Sequence, residues 1–210
     1  MRAIIIANGE MKNIEIIEQN ICKGDYIICL DGGLKHADNA GIMPNVIVGD
    51  FDSVDMALVE KYREKGAEVH SFPVRKDFTD MEIGINIAAE KNIGELVLLG
   101  ALGGRTDHAL GNIFNMQQAL NKGIEISIID ENQHIFLLSK EKKFRYKKGM
   151  IISLIPITGK VEGVKTANLS YPLNDETLYS GYSRGVSNIF DEDEAQISIS
   201  SGILLVIVNV

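Results

Sequence analysis

Residues 95–129 read ELVLLGALGGRTDHALGNIFNMQQALNKGIEISII. After Glu95 the run Leu96–Leu99 is wholly apolar, as expected of a strand covered on both faces. A glycine-rich turn follows, Gly100 to Gly104. From Asp107 to Lys122 the residues Ala109, Ile113, Met116 and Leu120 recur at helical spacing, and Gly123 supplies a C-terminal stop. A second apolar run, Glu125–Ile129, closes the unit. Strand, helix, strand with short connections is a parallel crossover.

The same pattern extends toward the N-terminus. Further strands are expected at Arg2–Ala7, Tyr26–Leu30, Val46–Val48 and Glu68–Phe72. Val54–Lys65 reads as a helix ending at Gly66, and Thr79-Asp80-Met81-Glu82 has capping-box spacing, opening a helix through Ala89. Residues 1–130 therefore predict a doubly wound, mainly parallel α/β domain. After Asp130 the period changes to short strands at Ile135–Leu138, Phe144–Tyr146, Met150–Ile155, Gln196–Ser200 and Ile203–Val208. Turns are expected at Gly149, Thr158-Gly159, Asn174-Asp175 and Ser201-Gly202. Residues 131–210 predict a small antiparallel β-sandwich domain.

Composition bounds the function. The chain has 210 residues, 45% hydrophobic and 24% charged, enough for a core without staples. Residues 1–130 carry 12 Lys+Arg against 20 Asp+Glu, whereas residues 131–210 carry 9 of each, so the formal charge of −8 belongs to the first part. That balance argues against nucleic acid and anionic membranes as partners. No apolar run approaches the roughly 20 residues of a membrane span. The basic stretch Lys140 to Lys148 alternates charge with Phe144 and Tyr146 and reads as a solvated strand face. Cys22 and Cys29 sit among apolar residues and read as buried thiols, which points to a reducing, cytoplasmic location.

In an open parallel sheet, ligands bind outside the carboxyl ends of the strands. The segments that follow the strands hold the unusual residues: Asn8-Gly9-Glu10, Asp31-Gly32-Gly33, Gly49-Asp50-Phe51-Asp52-Ser53, Arg75 to Asp80, and Gly100 to His108. Asp50 and Asp52 can aim two carboxylates at one point from an extended loop. With Asp31, Asp77 and Asp80 at neighbouring strand ends, they suit Mg²⁺, since carboxylates packed this closely repel without a cation. The blander alternative is that Asp52 or Ser53 caps the next helix. Gly32-Gly33 and Gly103-Gly104 let backbone N–H groups approach phosphate. Lys76 and Arg105 are the cations on this edge, and Arg105 either clamps a phosphate or pairs with a nearby aspartate. Asp107 either caps its helix or serves the site, and Asn112 lies one turn on. Together these features suggest chemistry on a nucleoside triphosphate. A Mg²⁺-dependent phosphohydrolase with Asp50 as nucleophile, or a non-catalytic sensor of small ligands, are the competing readings.

At these residues the sequence resembles the thiamine pyrophosphokinase family. The match runs through Asp31-Gly32-Gly33, Gly49-Asp50-Phe51-Asp52-Ser53, Asp77-x-Thr79-Asp80 and Gly103-Gly104-Arg105-x-Asp107-His108 with Asn112. Weaker matches follow at Ser153 to Pro156, Tyr171-Pro172-Leu173 and Gly185-Val186-Ser187-Asn188. The resemblance implies pyrophosphoryl transfer from ATP to thiamine, giving thiamine diphosphate and AMP. It implies that Asp50, Asp52 and Asp80 hold Mg²⁺, with Asp52, Asp80 and Arg105 serving catalysis. It implies that Asp31, Gly32, Gly33, Lys76, Asp77, Thr79, Arg105, Asp107 and Asn112 surround the nucleotide. Tyr171, Ser187 and Asn188 would meet thiamine, in a homodimer whose active sites lie at the subunit interface. The chain departs from the family at Ile189-Phe190, where many members carry an acid, and it has no Trp.

Overall fold

A computed structural model describes residues 1–72 and 78–210. The chain divides into two compact units, Met1–Glu131 and Asn132–Val210.

In the first unit the sheet order is β6-β5-β1-β2-β3-β4, all parallel. The strands are β1 (Arg2–Ile6), β2 (Tyr26–Leu30), β3 (Val46–Gly49), β4 (Glu68–Ser71), β5 (Glu95–Leu99) and β6 (Glu125–Ile129). Between them run α1 (Glu15–Asn20), α2 (Gly33–Asn39), α3 (Met56–Glu64), α4 (Asp80–Glu90) and α5 (Thr106–Asn121). Alternate residues along a strand face opposite layers. Ile4 and Ile6 of β1 pack with Ile17 of α1, Leu34 and Ala37 of α2, and Val59 and Tyr62 of α3. Ile5 points the other way, against α4 at Gly84, where a side chain would crowd Ile5 and Leu30. The chain winds outward from β1 to β4 and then returns to β5 on the other side of β1. That reversal opens a crevice at the carboxyl ends of the central strands.

The second unit is a sandwich of two antiparallel sheets. One has the order β12-β9-β14-β7 and the other β11-β10-β13-β8. The strands are β7 (Gln133–Leu138), β8 (Glu141–Arg145), β9 (Ile151–Pro156), β10 (Lys160–Ala167), β11 (Asn174–Tyr179), β12 (Asn188–Ile189), β13 (Glu194–Ser198) and β14 (Leu204–Asn209). Leu154, Leu204 and Val206 from one sheet share a buried core with Phe144, Val161, Val164 and Ile197 from the other. No helix among the described residues is long and apolar enough to cross a membrane.

The structure corrects three sequence expectations. Asn174-Asp175, read as a turn, opens β11 instead; Asp175 has a left-handed φ of 65° and the β10–β11 register shifts beside it, so the strand begins on a bulge. Cys29 is a buried free thiol, but Cys22 is exposed. It lies just beyond the end of α1, where its N–H bonds Asp25 Oδ2 at 2.7 Å rather than entering a strand. The helix at 107–122 begins at Thr106, with Arg105 at the N-cap position, so Asp107 is not the cap.

Candidate functional site

The loops after β1, β2, β3 and β5 converge at the crevice, and glycines let them. A side chain on Gly33 would strike the Ile6 carbonyl, one on Gly32 would strike the Asn8 amide, and one on Gly9 would strike the Gly100 and Leu102 carbonyls. His36, half-buried on α2, bonds the Gly9 carbonyl through Nε2 at 3.0 Å, and burial pulls its pKa down. A neutral ring facing a carbonyl must donate there. Lys35 donates to the Ser53 carbonyl and ties α2 to the loop after β3. Neither His36 nor Lys35 stood out in the sequence; their only signal was proximity to Gly32-Gly33.

The acidic residues fall around this crevice. Asp31 follows β2 directly and has a left-handed φ of 44°; Phe51, between Asp50 and Asp52, has φ 62°. Backbone strain of this kind persists only where the surroundings enforce it. Asp31 Oδ1 is buried and lacks a hydrogen-bond partner among the described residues. Gly49 permits its approach, since any side chain there would occupy the position of Oδ1. Burial, then a hydrogen bond and repulsion from Asp80, then the charge of Asp50 push the Asp31 carboxyl up to about 7; a bond from the Phe51 backbone opposes them. Asp31, Asp50 and Asp80 thus share one electrostatic neighbourhood.

Asp52 is exposed, and its N–H bonds Asp50 Oδ1 at 3.0 Å, so Asp50 shapes the loop while Asp52 presents its carboxylate outward. The capping alternative fails for both Asp52 and Ser53. Asp55 is the N-cap of α3, accepting from the Ala57 N–H at 2.9 Å. Asp55→Ala is expected to destabilise the protein by about 1 kcal/mol in urea titrations. An unchanged midpoint would return the cap to its neighbours.

Thr79 caps α4. Its hydroxyl accepts from the Glu82 N–H at 3.3 Å, and Glu82 Oε2 accepts from the Thr79 N–H at 2.7 Å. Asn115 Nδ2 reaches Thr79 Oγ1 at 3.4 Å, linking the start of α4 to the middle of α5. Asn112 donates to the Ala101 carbonyl at 2.8 Å and anchors the glycine-rich turn. A cleft of about 470 Å³ opens here, lined by Asn8, Asp31, Thr79, Asp80, Asp107 and Asn112 among others. Arg105 and Asp107 form an exposed two-point ion pair, Nε to Oδ1 at 3.2 Å and Nη2 to Oδ2 at 2.6 Å. The Arg105 guanidinium holds the Asp107 carboxyl below its usual range. Gly32 and Gly33 lie at the start of α2 and are buried. Lys76 and Asp77 lie outside the described residues.

Among the described residues no three acidic, His or Cys side chains form a closed metal cage. The donor set nevertheless suits a hard cation. All of its members are oxygens, one of them buried without a donor among the described residues, and burial together with the neighbouring Asp80 and Asp50 raises Asp31. Mg²⁺ ordinarily takes one or two carboxylates plus phosphate oxygens and waters, so it needs no protein cage.

In the sandwich, Tyr171 and Ser187 border a cleft of about 530 Å³ with Leu173, Arg184, Val186 and Asn188. Ser187 has a left-handed φ of 59°, and its N–H bonds Ser153 Oγ at 3.1 Å. Arg184 is drawn into a two-point pair with Glu176, at 3.0 and 2.8 Å.

Two family models match the chain. The catalytic domain of thiamin pyrophosphokinase covers residues 17–128, and the vitamin B1 binding domain of thiamin pyrophosphokinase covers 133–204. A thiamine pyrophosphokinase of Bacillus subtilis is 29% identical over 210 residues, 97% of this chain and 96% of that protein. A crystal structure of thiamine pyrophosphokinase from Bacillus subtilis superposes with a TM-score of 0.89 at 26% identity, covering 100% of this chain and 99% of that one. One from Geobacillus thermodenitrificans gives 0.85 at 26%, covering 100% and 98%. A doubly wound unit with acidic loops on its carboxyl edge, followed by a β-sandwich, is the architecture of a two-domain transferase. The chain belongs to the thiamin pyrophosphokinase family.

Proposed function

We propose that the chain transfers the pyrophosphoryl group of ATP to thiamine, forming thiamine diphosphate and AMP. The observation that carries this reading, beside family membership, is that the carboxylates Asp31, Asp50 and Asp80 share one electrostatic neighbourhood beside a cleft at the sheet's carboxyl edge. A cation held there would compensate their charge, and a bare binding site for thiamine would need no such set.

The hydroxyethyl oxygen of thiamine attacks the β-phosphorus. The bond from that phosphorus to the oxygen bridging to the α-phosphate breaks, AMP leaves with that oxygen, and the hydroxyl proton is lost. Mg²⁺, when bound, supplies charge neutralisation at the phosphate oxygens. Asp50, Asp52 and Asp80 would hold it. Asp80 or Asp52 would also orient the attacking hydroxyl. Arg105 exchanges its surface partner Asp107 for the β-phosphoryl oxygens, whose charge grows in the transition state. Asp31, Gly32, Gly33, Lys76, Asp77, Thr79, Asp107 and Asn112 surround the nucleotide. The exposed Tyr171 ring offers a π face to the thiazolium cation, with Ser187 beside it. The buried free thiol of Cys29 accords with a reducing, cytoplasmic location. The test is AMP release from ATP. It should require both thiamine and Mg²⁺, and AMP formation indifferent to thiamine would sink the reading.

The functional unit is proposed to be a homodimer, each active site taking its acidic residues from one subunit and Tyr171 from the other. Neither Asp80→Asn nor Tyr171→Ala homodimers should turn over well. Mixed dimers should recover activity, because one of their two sites carries neither lesion. Verified mixed dimers without recovery would mean that each site is built from one chain.

A further inference from the structure

The resemblance implies that Asn188 meets thiamine; we infer instead that it is a positioning residue, which fixes the backbone of Tyr171 and through it the ring offered to thiamine. This rests on the function proposed above. Among the described residues Asn188 is the one polar side chain in the fully buried set, at 2% exposure. Its Oδ1 accepts from the Tyr171 N–H at 2.9 Å and from the Ile189 N–H at 2.9 Å, which uses both lone pairs. Its Nδ2 donates to the Tyr171 carbonyl at 2.7 Å. The carboxamide therefore gives Tyr171 the two-way pairing that a neighbouring strand residue would give.

The rest of the segment is tied as closely. The Ser170 N–H bonds the Ile189 carbonyl at 3.0 Å, and the Leu173 N–H bonds Thr166 Oγ1 at 2.9 Å. Pro172 has no N–H and biases Tyr171 toward an extended backbone. The Tyr171 side chain, by contrast, is 59% exposed and borders the 530 Å³ cleft. A rigid backbone carrying an exposed ring is a prepared contact surface, and preparation lowers the ordering cost of binding. Without the amide, the part-buried Tyr171 N–H and carbonyl would lose their partners, and the loop would satisfy them by swinging into water with its ring.

The test is a double-mutant cycle on the full-length protein. Asn188→Ala should raise the KM for thiamine by about tenfold, the scale of re-ordering one side chain and its loop, with kcat and the KM for ATP little changed. Added to Tyr171→Ala, it should change the KM for thiamine by less than about twofold, because its effect passes through the ring. Multiplying effects would mean direct contact with thiamine and would overturn the inference. A parallel fall in kcat and rise in the KM for ATP would mean general structural damage and overturn it too. Should Asn188→Ala not fold, Asn188→Ser replaces it, and the wild-type protein gives an independent readout. The Tyr171 amide, outside any strand, should be protected from hydrogen exchange, and exchange at the rate of a free loop would overturn the inference. Wild-type protein that forms no AMP with thiamine overturns the proposed function and this inference together. Normal wild-type turnover with multiplying variants overturns this inference alone.

Discussion

Asp52→Asn is expected to lower thiamine-dependent AMP formation by ~10²–10³-fold, the usual loss when one transition-state electrostatic partner is removed. The side chain is exposed at the lip of the loop after β3 and, among the described residues, bonds no neighbouring backbone in the way that Asp50 and Asp55 do. Its substitution should therefore leave the fold alone, and thermal unfolding in the absence of Mg²⁺ should occur at the wild-type temperature or slightly above. Relief of carboxylate repulsion accounts for any gain. Raising Mg²⁺ should recover part of the turnover, because the lesion weakens cation binding rather than phosphoryl positioning. Melting temperature and AMP formation measured on one sample separate this from a structural role. Near-normal turnover at sub-millimolar Mg²⁺ would remove Asp52 from the site.

That Asp52 is free for this role could not be read from the chain alone. Asp52, Ser53 and Asp55 are all good cap residues within four positions, and the backbone decides among them; Asp55 has the extended φ, ψ of −64°, 121° with its oxygen on the Ala57 N–H. By contrast the Thr79 cap was legible, because Thr-x-x-Glu fixes both halves of a reciprocal bond in one turn. The parallel sheet was legible for a similar reason: runs such as Ala3-Ile4-Ile5-Ile6 are buried on both faces and need no alternation. In the sandwich the signal failed where a bulge breaks the period of two. Val161 and Val164 of β10 are both buried though three residues apart, because Gly163, at φ 66°, leaves the regular strand path against Ser200. That spacing hid β10, and Asp175 hid β11. The acidic set was visible as composition at strand ends. Its internal division was not: which carboxylate is buried, which shapes its loop and which faces out depends on loop paths set by Gly33 and Gly49.

Asp31→Asn is expected to make the metal-free protein more stable above neutral pH while nearly abolishing turnover. In the folded state the Asp31 carboxyl is raised to about 7 from an ordinary 3.8, chiefly by burial, and then by Asp80 and Asp50. A group whose folded pKa lies above its unfolded one favours the fold while both states keep the proton. That contribution is complete below about pH 4 and is lost as the pH rises through about 7. In chelator, the wild-type melting temperature should therefore fall across this interval by more than that of the variant, and the two curves should separate furthest near pH 8. Asparagine suits the position. It tolerates the left-handed φ of 44°, and its amide can donate to the Asp80 carboxylate that repels Asp31 now. Added Mg²⁺ at pH 8 should reverse the order, stabilising the wild type more than the variant, since the cation finds one carboxylate fewer. Turnover should fall by at least the ~10²-fold expected of a lost electrostatic partner, and raising the pH should not restore it. Parallel wild-type and variant melting curves from pH 4 to 8 in chelator would show that Asp31 is ionised throughout, with its burial compensated from within the protein and no call on a cation.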